Sequence, residues 1–300
     1  MSSEIQYWDR KSQSYQIEKV YGDGAIKFAY ENPFGRFLTA HLFSKHWISK
    51  LYGNTQSTKS AAKKIPQFIK KFEINMSEYE EKSYDSFNDF FIRKFRPGLR
   101  PFPKNPQELG AFSEARYLAY KSINDSRSLY IKGSETNLTE LLGSESLARE
   151  FEGGALWIAR LCPVDYHRFH YPALTRVVST QRLPGLLHSV NPIAMKSVPN
   201  LIQKNERHLT ILETPKGSKL AYLEVGALMV GKIIQSNCIP GQAYGAGREK
   251  GYFLFGASTV VLLAQKGTFR PSPDLIDQTQ KGFETRVLLG ENIGTNVTTA

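Results

Sequence analysis

Short β-rich runs separated by glycine and proline occupy the middle of this 300-residue chain, between residues 111 and 257. Apolar and β-branched runs bounded by such turn residues are typical of strands. We predict one helical segment at 137–151 and strands at 116–122, 155–161, 175–183, 208–213 and 219–234. The pattern indicates a mainly antiparallel β domain.

The flanks of this region have different patterns. Residues 1–110 are rich in aromatic residues and have helical spacing, so we predict amphipathic helices there. The apolar run 259–264 predicts one more strand, whereas the polar tail GENIGTNVTTA (290–300) is expected to be frayed. The predicted class is α+β, with a helical, basic region over 1–110 and a β-rich domain over 111–300.

Positive charge is concentrated in the N-terminal region. The chain has 39 Lys and Arg against 28 Asp and Glu, a formal charge of +11, and no acidic residue lies between Glu31 and Glu73. That interval combines cations and rings, namely Arg36, Lys45, Lys50, Lys59, Lys63, Lys64, Lys70, Lys71, Phe34, Phe37, Phe43, Trp47, Tyr52, Phe68 and Phe72. It suits an anionic bilayer or, equally, a solvated helix face whose rings pack on the next domain. Nucleic acid is not expected, because no binding motif accompanies the charge.

The cysteine content and the hydropathy limit where the chain works. Cys162 and Cys238 are too few for a disulfide scaffold, so we expect a reducing compartment. The first residues, MSSEIQYWDRKS, contain acids and no apolar core, unlike an ordinary secretory signal. No stretch reaches the roughly 18 to 20 apolar residues that a spanning helix needs. Any membrane contact is therefore expected to be peripheral.

Two histidines lie three residues apart in DYHRFHYP, residues 165–172. His167 and His170 are candidates for acid/base work, because histidine alone titrates near neutral pH without perturbation. The alternative is one stacked surface ring and one ring satisfied by a backbone carbonyl. A metal site would need a third ligand such as His188 or Asp165, and the HxxH spacing alone is a weak metal signal.

Small residues interrupt an apolar run in GYFLFGASTVVLLAQKG, residues 251–267. A β-bulge explains the interruption, and so does a strained turn that presents the Ser258 hydroxyl to a neighbouring carbonyl. The G-x-S-x-G motif of hydrolases is absent, because position 260 is valine. The local pattern leaves both readings open.

Six segments in order resemble the phosphatidylserine decarboxylases, which are self-processing pyruvoyl enzymes. These segments are FNDFFIRKFRPGLRP (87–101), IKGSETNLTELLG (131–143), DYHRFHYP (165–172), LPGLLHSVNP (183–192), VGALMVGKI (225–233) and EKGYFLFGASTVVLL (249–263). The resemblance implies self-cleavage between Ala257 and Ser258 into a β chain (1–257) and an α chain (258–300) that share a sheet. Ser258 would become the covalent pyruvoyl cofactor.

The same resemblance implies roles for the histidines. His170 falls on the position of the base that activates the Ser258 hydroxyl for self-cleavage, and His167 on that of a substrate ligand or proton donor. Two positions depart from the family pattern. Ala257 replaces a glycine before the cut, and Glu114 stands where the family has an aspartate that orients the histidine. Asp165 is the second candidate for that orienting carboxylate.

The resemblance also implies a partner and a location. Phosphatidylserine in an anionic membrane would be the substrate, and the protein would lie peripherally on the cytoplasmic side of the cell membrane. The basic, aromatic segment would hold it there. Whether two processed units pair is left open.

Two alternative functions remain for the chain. One is a metal-dependent hydrolase using His167, His170 and His188, and the other is a basic lipid-binding module without catalysis. Both predict an uncut chain.

Overall fold

The computed structural model describes residues 5–123, 137–198, 200–228, 232–256 and 258–297. Its α-helices are α1 (Asp23–Glu31), α2 (Pro33–Leu38), α3 (His46–Gln56), α4 (Ile65–Phe72), α5 (Phe87–Phe91), α6 (Leu138–Leu142), α7 (Glu145–Phe151), α8 (Pro192–Ser197), α9 (Leu201–Lys204) and α10 (Pro273–Gln280). Its strands are β1 (Gln6–Asp9), β2 (Ser14–Ile17), β3 (Glu108–Gly110), β4 (Ala115–Tyr120), β5 (Leu156–Leu161), β6 (Arg168–His170), β7 (Thr175–Leu183), β8 (Arg207–Glu213), β9 (Lys219–Val225), β10 (Ile233–Gln235), β11 (Ala243–Tyr244), β12 (Glu249–Phe253), β13 (Ser258–Ala264), β14 (Phe269–Pro271), β15 (Glu284–Val287) and β16 (Asn292–Asn296). The mixture confirms the α+β class.

A ten-stranded sheet forms the centre of the molecule, in the order β11-β7-β8-β9-β13-β5-β4-β15-β1-β2. Its neighbours run antiparallel except for β1 and β15, which are parallel. Strand β13, with the sequence STVVLLA, is buried at every position. Its β-branched and leucine side chains suit a strand covered on both faces. It therefore lies inside the sheet, bonded to β5 on one side and to β9 on the other.

A smaller sheet, in the order β10-β12-β6, lies beside the main one. Two of the connections between these sheets run from β5 to β6 and from β12 to β13. Because β5 pairs with β13 and β6 pairs with β12, these two passages run side by side. A third sheet is formed by β14, β16 and β3.

The N-terminal helices pack on the β domain through aromatic rings. Ile65 and Phe68 on the apolar side of α4 join the phenylalanines of α5 in one buried cluster. Phe255, from the passage between β12 and β13, packs into the same cluster. The N-terminal region thus covers the junction between the two sheets.

Two sequence-based expectations are wrong. From residue 5, where the described chain starts, the first element is not a helix but the hairpin β1–β2, which extends the main sheet at its edge. The tail is not frayed throughout, because β16 pairs with both β3 and β14 and Ile293 is fully buried. The predicted strand at 219–234 is divided into β9 and β10, and the predicted helical segment into α6 and α7.

Candidate active site

The two passages between the sheets bring Ser258 and His167 together. Ser258 is the first residue of β13 and pairs with Leu161, the last residue of β5. The chain leaves β5 through Cys162 and reaches His167 immediately before β6. Ser258 and His167, which are far apart in sequence, therefore meet where the β5–β6 and β12–β13 connections run side by side between the sheets.

The Ser258 hydroxyl is hydrogen-bonded to the His167 ring. Its Oγ lies 3.2 Å from Nδ1, and the other ring nitrogen, Nε2, lies 2.8 Å from the carbonyl oxygen of Cys162. A carbonyl oxygen only accepts, so Nε2 carries the ring proton. The lone pair of Nδ1 then accepts the serine O–H. This is the arrangement of a base on a nucleophilic hydroxyl.

The pair is shielded from solvent. Ser258 and His167 are both 0 % exposed, and the ring of Phe91 stacks on His167 at a centroid distance of 4.0 Å. Burial disfavours the charged imidazolium and lowers the pKa of His167 to about 3; the bond to Cys162 opposes this and the charge of Arg93 reinforces it. His167 is therefore neutral at physiological pH, with Nδ1 ready to accept a proton.

Asp165 acts on His167 through the backbone. Its Oδ2 accepts the N–H of Cys162 at 2.7 Å, while the carbonyl of the same Cys162 accepts the His167 proton. Arg116 holds the carboxylate through an ion pair of 2.7 Å. The carboxylate thus fixes the turn that orients the imidazole, without touching the ring.

His170 and Glu114 have other partners. His170 Nδ1 lies 3.0 Å from the carbonyl oxygen of Gly247, its Nε2 has no hydrogen-bond partner among the described residues, and burial lowers its pKa. Glu114 is paired with Arg100 at 2.7 Å and accepts the N–H of Leu289. Within the described chain no hydrogen bond joins His170 to Ser258 or to Glu114. The roles assigned to these two residues by resemblance stay predictions.

The predicted cleavage site is described only in part. Ala257 lies outside the described residues, while Gly256 on its N-terminal side has a φ of 144°. A residue with a Cβ rarely adopts this angle, so a glycine is needed there. The small-residue interruption is thus associated with an unusual backbone conformation next to the buried serine.

His188, the third candidate metal ligand, has partners of its own. His188 is next to the ring of Tyr30, at a centroid distance of 6.5 Å, and its backbone N–H donates to Asn205. Across the part of the chain that the structure describes, no three His, Cys, Asp or Glu side chains are grouped so that they could hold a metal ion. Among the described residues, His167, His170 and His188 therefore do not form such a group.

The basic, aromatic segment presents several rings to solvent. Phe34, Phe37, Trp47 and Leu51 are between 58 and 63 % exposed, whereas Phe68 is buried in the aromatic cluster. Part of the segment therefore packs on the rest of the chain, and part of it exposes apolar side chains to solvent. None of the described helices is long and apolar enough to cross a bilayer.

Two contacts of His167 were not predicted from the sequence. The carbonyl of Cys162 fixes its tautomer, and a backbone oxygen leaves no residue-type signal. Phe91 lies in the FNDFF segment, where its apolar character indicates burial but not its partner.

The chain is similar to known proteins that all bear one name. Residues 87–295 match the family model described as phosphatidylserine decarboxylase. A protein of Ruminiclostridium cellulolyticum is 40% identical over 292 residues, which cover 97% of both chains. One of Clostridium novyi is 40% identical over 295 residues, covering 98% of this chain and 100% of the relative. One of Clostridium botulinum is 38% identical over 292 residues, covering 97% and 99%. Each relative bears the name phosphatidylserine decarboxylase proenzyme.

Proposed function

Because the chain belongs to the phosphatidylserine decarboxylase family, we propose that it cuts itself before Ser258 and decarboxylates phosphatidylserine with the pyruvoyl group that results. The relatives' name, proenzyme, supports a cleavage step. The observation that carries the proposal for this chain is the bond between the Ser258 hydroxyl and His167. The bond supports the proposal because a neutral imidazole accepts the hydrogen of the hydroxyl that would be activated.

Self-cleavage begins when the Ser258 oxygen attacks the carbonyl carbon of residue 257. The hydroxyl proton passes to an imidazole, a C–O bond forms, and the C–N bond between residues 257 and 258 breaks. The proton then goes to the nitrogen of residue 258, which leaves an ester. Loss of the Ser258 α-proton expels the carboxylate of residue 257, and addition of water with release of ammonia yields the ketone.

The site fits the group that would form. The pyruvoyl group has fewer atoms than the serine it replaces, and the strand pairing of Ser258 with Leu161 fixes its backbone. When formed, the group supplies a ketone that condenses with the amine of phosphatidylserine and takes up the electron pair left by carbon dioxide. His167 lies beside the same atoms. Its position supports the role of substrate ligand, or of proton donor to the carbon that loses the carboxylate once Nδ1 has taken up a proton.

The base for self-cleavage is assigned to His170 by resemblance, while the hydrogen bond of the serine is made by His167. Paired variants distinguish the two. If His170 is the base, His170→Ala stays uncut and His167→Ala is cut but inactive. If His167→Ala also stays uncut, His167 takes the serine proton as well as serving the mature enzyme.

The sheet supports an association of the two products. Strand β13 of the α chain lies between β5 and β9 of the β chain, and β15 lies between β4 and β1. Ion pairs also cross the cut, since Arg160 binds Glu284 at 2.6 Å and Arg10 binds Asp274 at 2.8 Å. We therefore expect the products to form a stable heterodimer.

The exposed rings support membrane contact. Phe34, Phe37, Trp47 and Leu51 lie in the acid-free segment, so apolar groups and cations occur together. The protein is proposed to bind peripherally to anionic phosphatidylserine-bearing membrane on the cytoplasmic side.

The test of the proposed function is the variant Ser258→Ala, compared with the wild type and with Ser189→Ala. The Ser258 variant is expected to remain one uncut chain without decarboxylase activity on phosphatidylserine vesicles. Ser189→Ala removes another buried serine hydroxyl and is expected to be cut. Normal turnover by Ser258→Ala would refute the proposal, and so would equal failure of cleavage in both variants.

A further inference from the structure

Asn88 connects three segments of the chain around the cleavage site. It lies in α5 and is 5 % exposed. Its Oδ1 accepts the backbone N–H of Phe255 at 2.9 Å. Its Nδ2 donates to the carbonyl oxygen of Gly53 at 3.1 Å and to Oγ of Ser57 at 2.9 Å. Both amide hydrogens and the amide oxygen are thus used, and a flipped amide would place NH₂ against the N–H of Phe255.

The backbone N–H of Phe255 has no partner in either sheet, and its hydrogen bond is made to Asn88 instead. Strand β12 ends at Phe253 and β13 begins at Ser258, so the residues between them lie outside both ladders. The N–H of Leu254 donates to Lys232, and that of Phe255 to Asn88. The next residue, Gly256, has the unusual φ of 144°. Asn88 therefore holds the last backbone amide before the unusual turn.

The ring of Phe255 fixes the same segment from the other side. It is 2 % exposed and lies 5.0 Å from the ring of Phe91, which itself stacks on His167. The segment before the cut and the imidazole that binds the serine are thus held by the same short helix, α5, through Asn88 and Phe91.

From this geometry we propose that Asn88 is a positioning residue for self-cleavage, holding the backbone of Phe255 in the segment that leads to Ser258. The proposal rests on the proposed function. Asn88 takes no part in bond making. Attack requires the reacting atoms about 3 to 3.5 Å apart, and a displacement of about 1 Å can slow such a step on the order of 100-fold. Without the bond to Asn88 the backbone of Phe255 loses one of its two anchors, and the Gly256 that follows has no Cβ to limit its backbone angles.

The test compares Asn88→Asp with Asn88→Leu in the full-length chain made by pulse-labelled cell-free synthesis. The release of residues 258–300 is followed by mass spectrometry. Aspartate keeps an oxygen that accepts the N–H of Phe255 but loses both donors, whereas leucine keeps the volume and loses every hydrogen bond. We expect cleavage about 10- to 100-fold slower in Asn88→Leu and much closer to the wild-type rate in Asn88→Asp. The control Ser57→Ala removes one partner of Nδ2, leaves the bond to Phe255 in place and is expected to be cut normally.

Melting temperatures, measured in the uncut Ser258→Ala background, separate positioning from stability. If Asn88 acts by positioning, Asn88→Asp is cut faster than Asn88→Leu, because only aspartate keeps the oxygen that accepts the N–H of Phe255. This order is expected even though a buried carboxylate makes Asn88→Asp the less stable of the two variants. Cleavage rates that follow melting temperature, or a wild-type rate in Asn88→Leu, would overturn the proposal. A wild-type chain that never releases the fragment would overturn the proposed function as well.

A second measurement covers the case in which Asn88→Leu does not fold. Hydrogen exchange of the Phe255 amide is measured in the folded Ser258→Ala chain. Protection like that of the β12 amides supports the anchor, and exchange at the rate of a free amide refutes it.

Discussion

The fold is expected to lose stability in acid through the buried imidazole of His167. Burial lowers its pKa in the folded chain to about 3, from an ordinary value of 6.5. Between these two values the unfolded chain binds a proton that the folded chain does not. The stability that the fold gains by keeping this ring neutral is therefore complete above about pH 6.5, and it is lost as the pH falls towards 3. At about 1.36 kcal/mol for each pKa unit, the full difference is roughly 5 kcal/mol.

The assay is denaturant unfolding of the uncut Ser258→Ala chain at several pH values from 7 to 4.5, compared with the double variant Ser258→Ala/His167→Gln. Glutamine retains an amide for hydrogen bonding but does not titrate. Between pH 7 and 4.5 the free energy of unfolding of the Ser258→Ala chain is expected to fall by about 3 kcal/mol more than that of the double variant. Because both chains contain the other histidines, the difference isolates this ring.

Equal losses in the two chains would refute the reasoning. Nitrogen NMR of labelled histidine provides a direct check on the same ring. It is expected to show His167 neutral at pH 5 with the proton on Nε2, and a pKa near 6 or a proton on Nδ1 would contradict the assigned contacts.

Further predictions concern the two product chains, the orienting carboxylate and the membrane. Glu284→Gln removes a buried carboxylate of the α chain from its guanidinium partner, and is expected to destabilise the heterodimer by roughly 3 kcal/mol in denaturant unfolding. Glu114→Gln is expected to slow maturation in a time course of fragment release, and an unchanged rate would assign the orienting role to Asp165. Trp47→Ser is expected to weaken binding to anionic vesicles roughly tenfold. Ile239→Ser, a control that changes an equally exposed residue outside the basic segment, is expected to leave binding unchanged.

The strands with the clearest patterns could be predicted from the sequence. The segment Thr175–Leu183 is a strand with the predicted bounds, and the apolar run 259–264 corresponds to β13. In both, the residue pattern itself determines the structure, because β-branched side chains fit a pleated strand and the run in β13 is apolar enough for a central position.

The hairpin and the tail strand could not be predicted in this way. Strand β1 has four residues, too few for a clear alternation, and pairs with β15 at the other end of the chain. Strand β16 contains one buried apolar side chain, Ile293, among polar residues. Both depend on contacts between distant parts of the sequence, which a local pattern does not contain.

The motifs and the resemblance select Ser258 and both histidines as candidate site residues, but they do not predict how these residues are arranged. Which imidazole meets the hydroxyl depends on how two passages between sheets align, and the structure places His167 there. The orienting contact comes from the carbonyl of Cys162, and the anchor of the preceding segment from Asn88. A polar residue in an apolar motif is visible in the sequence, but its partner becomes known only from the fold.

The most direct measurement of the central claim is the intact mass of the purified wild-type protein, with sequencing of its fragments. We predict two fragments, one of them the 43 residues from 258 to 300, which resists Edman degradation because its first residue carries a ketone in place of an amine. A decarboxylase that is fully active as one 300-residue chain with an intact Ser258 hydroxyl would contradict the account.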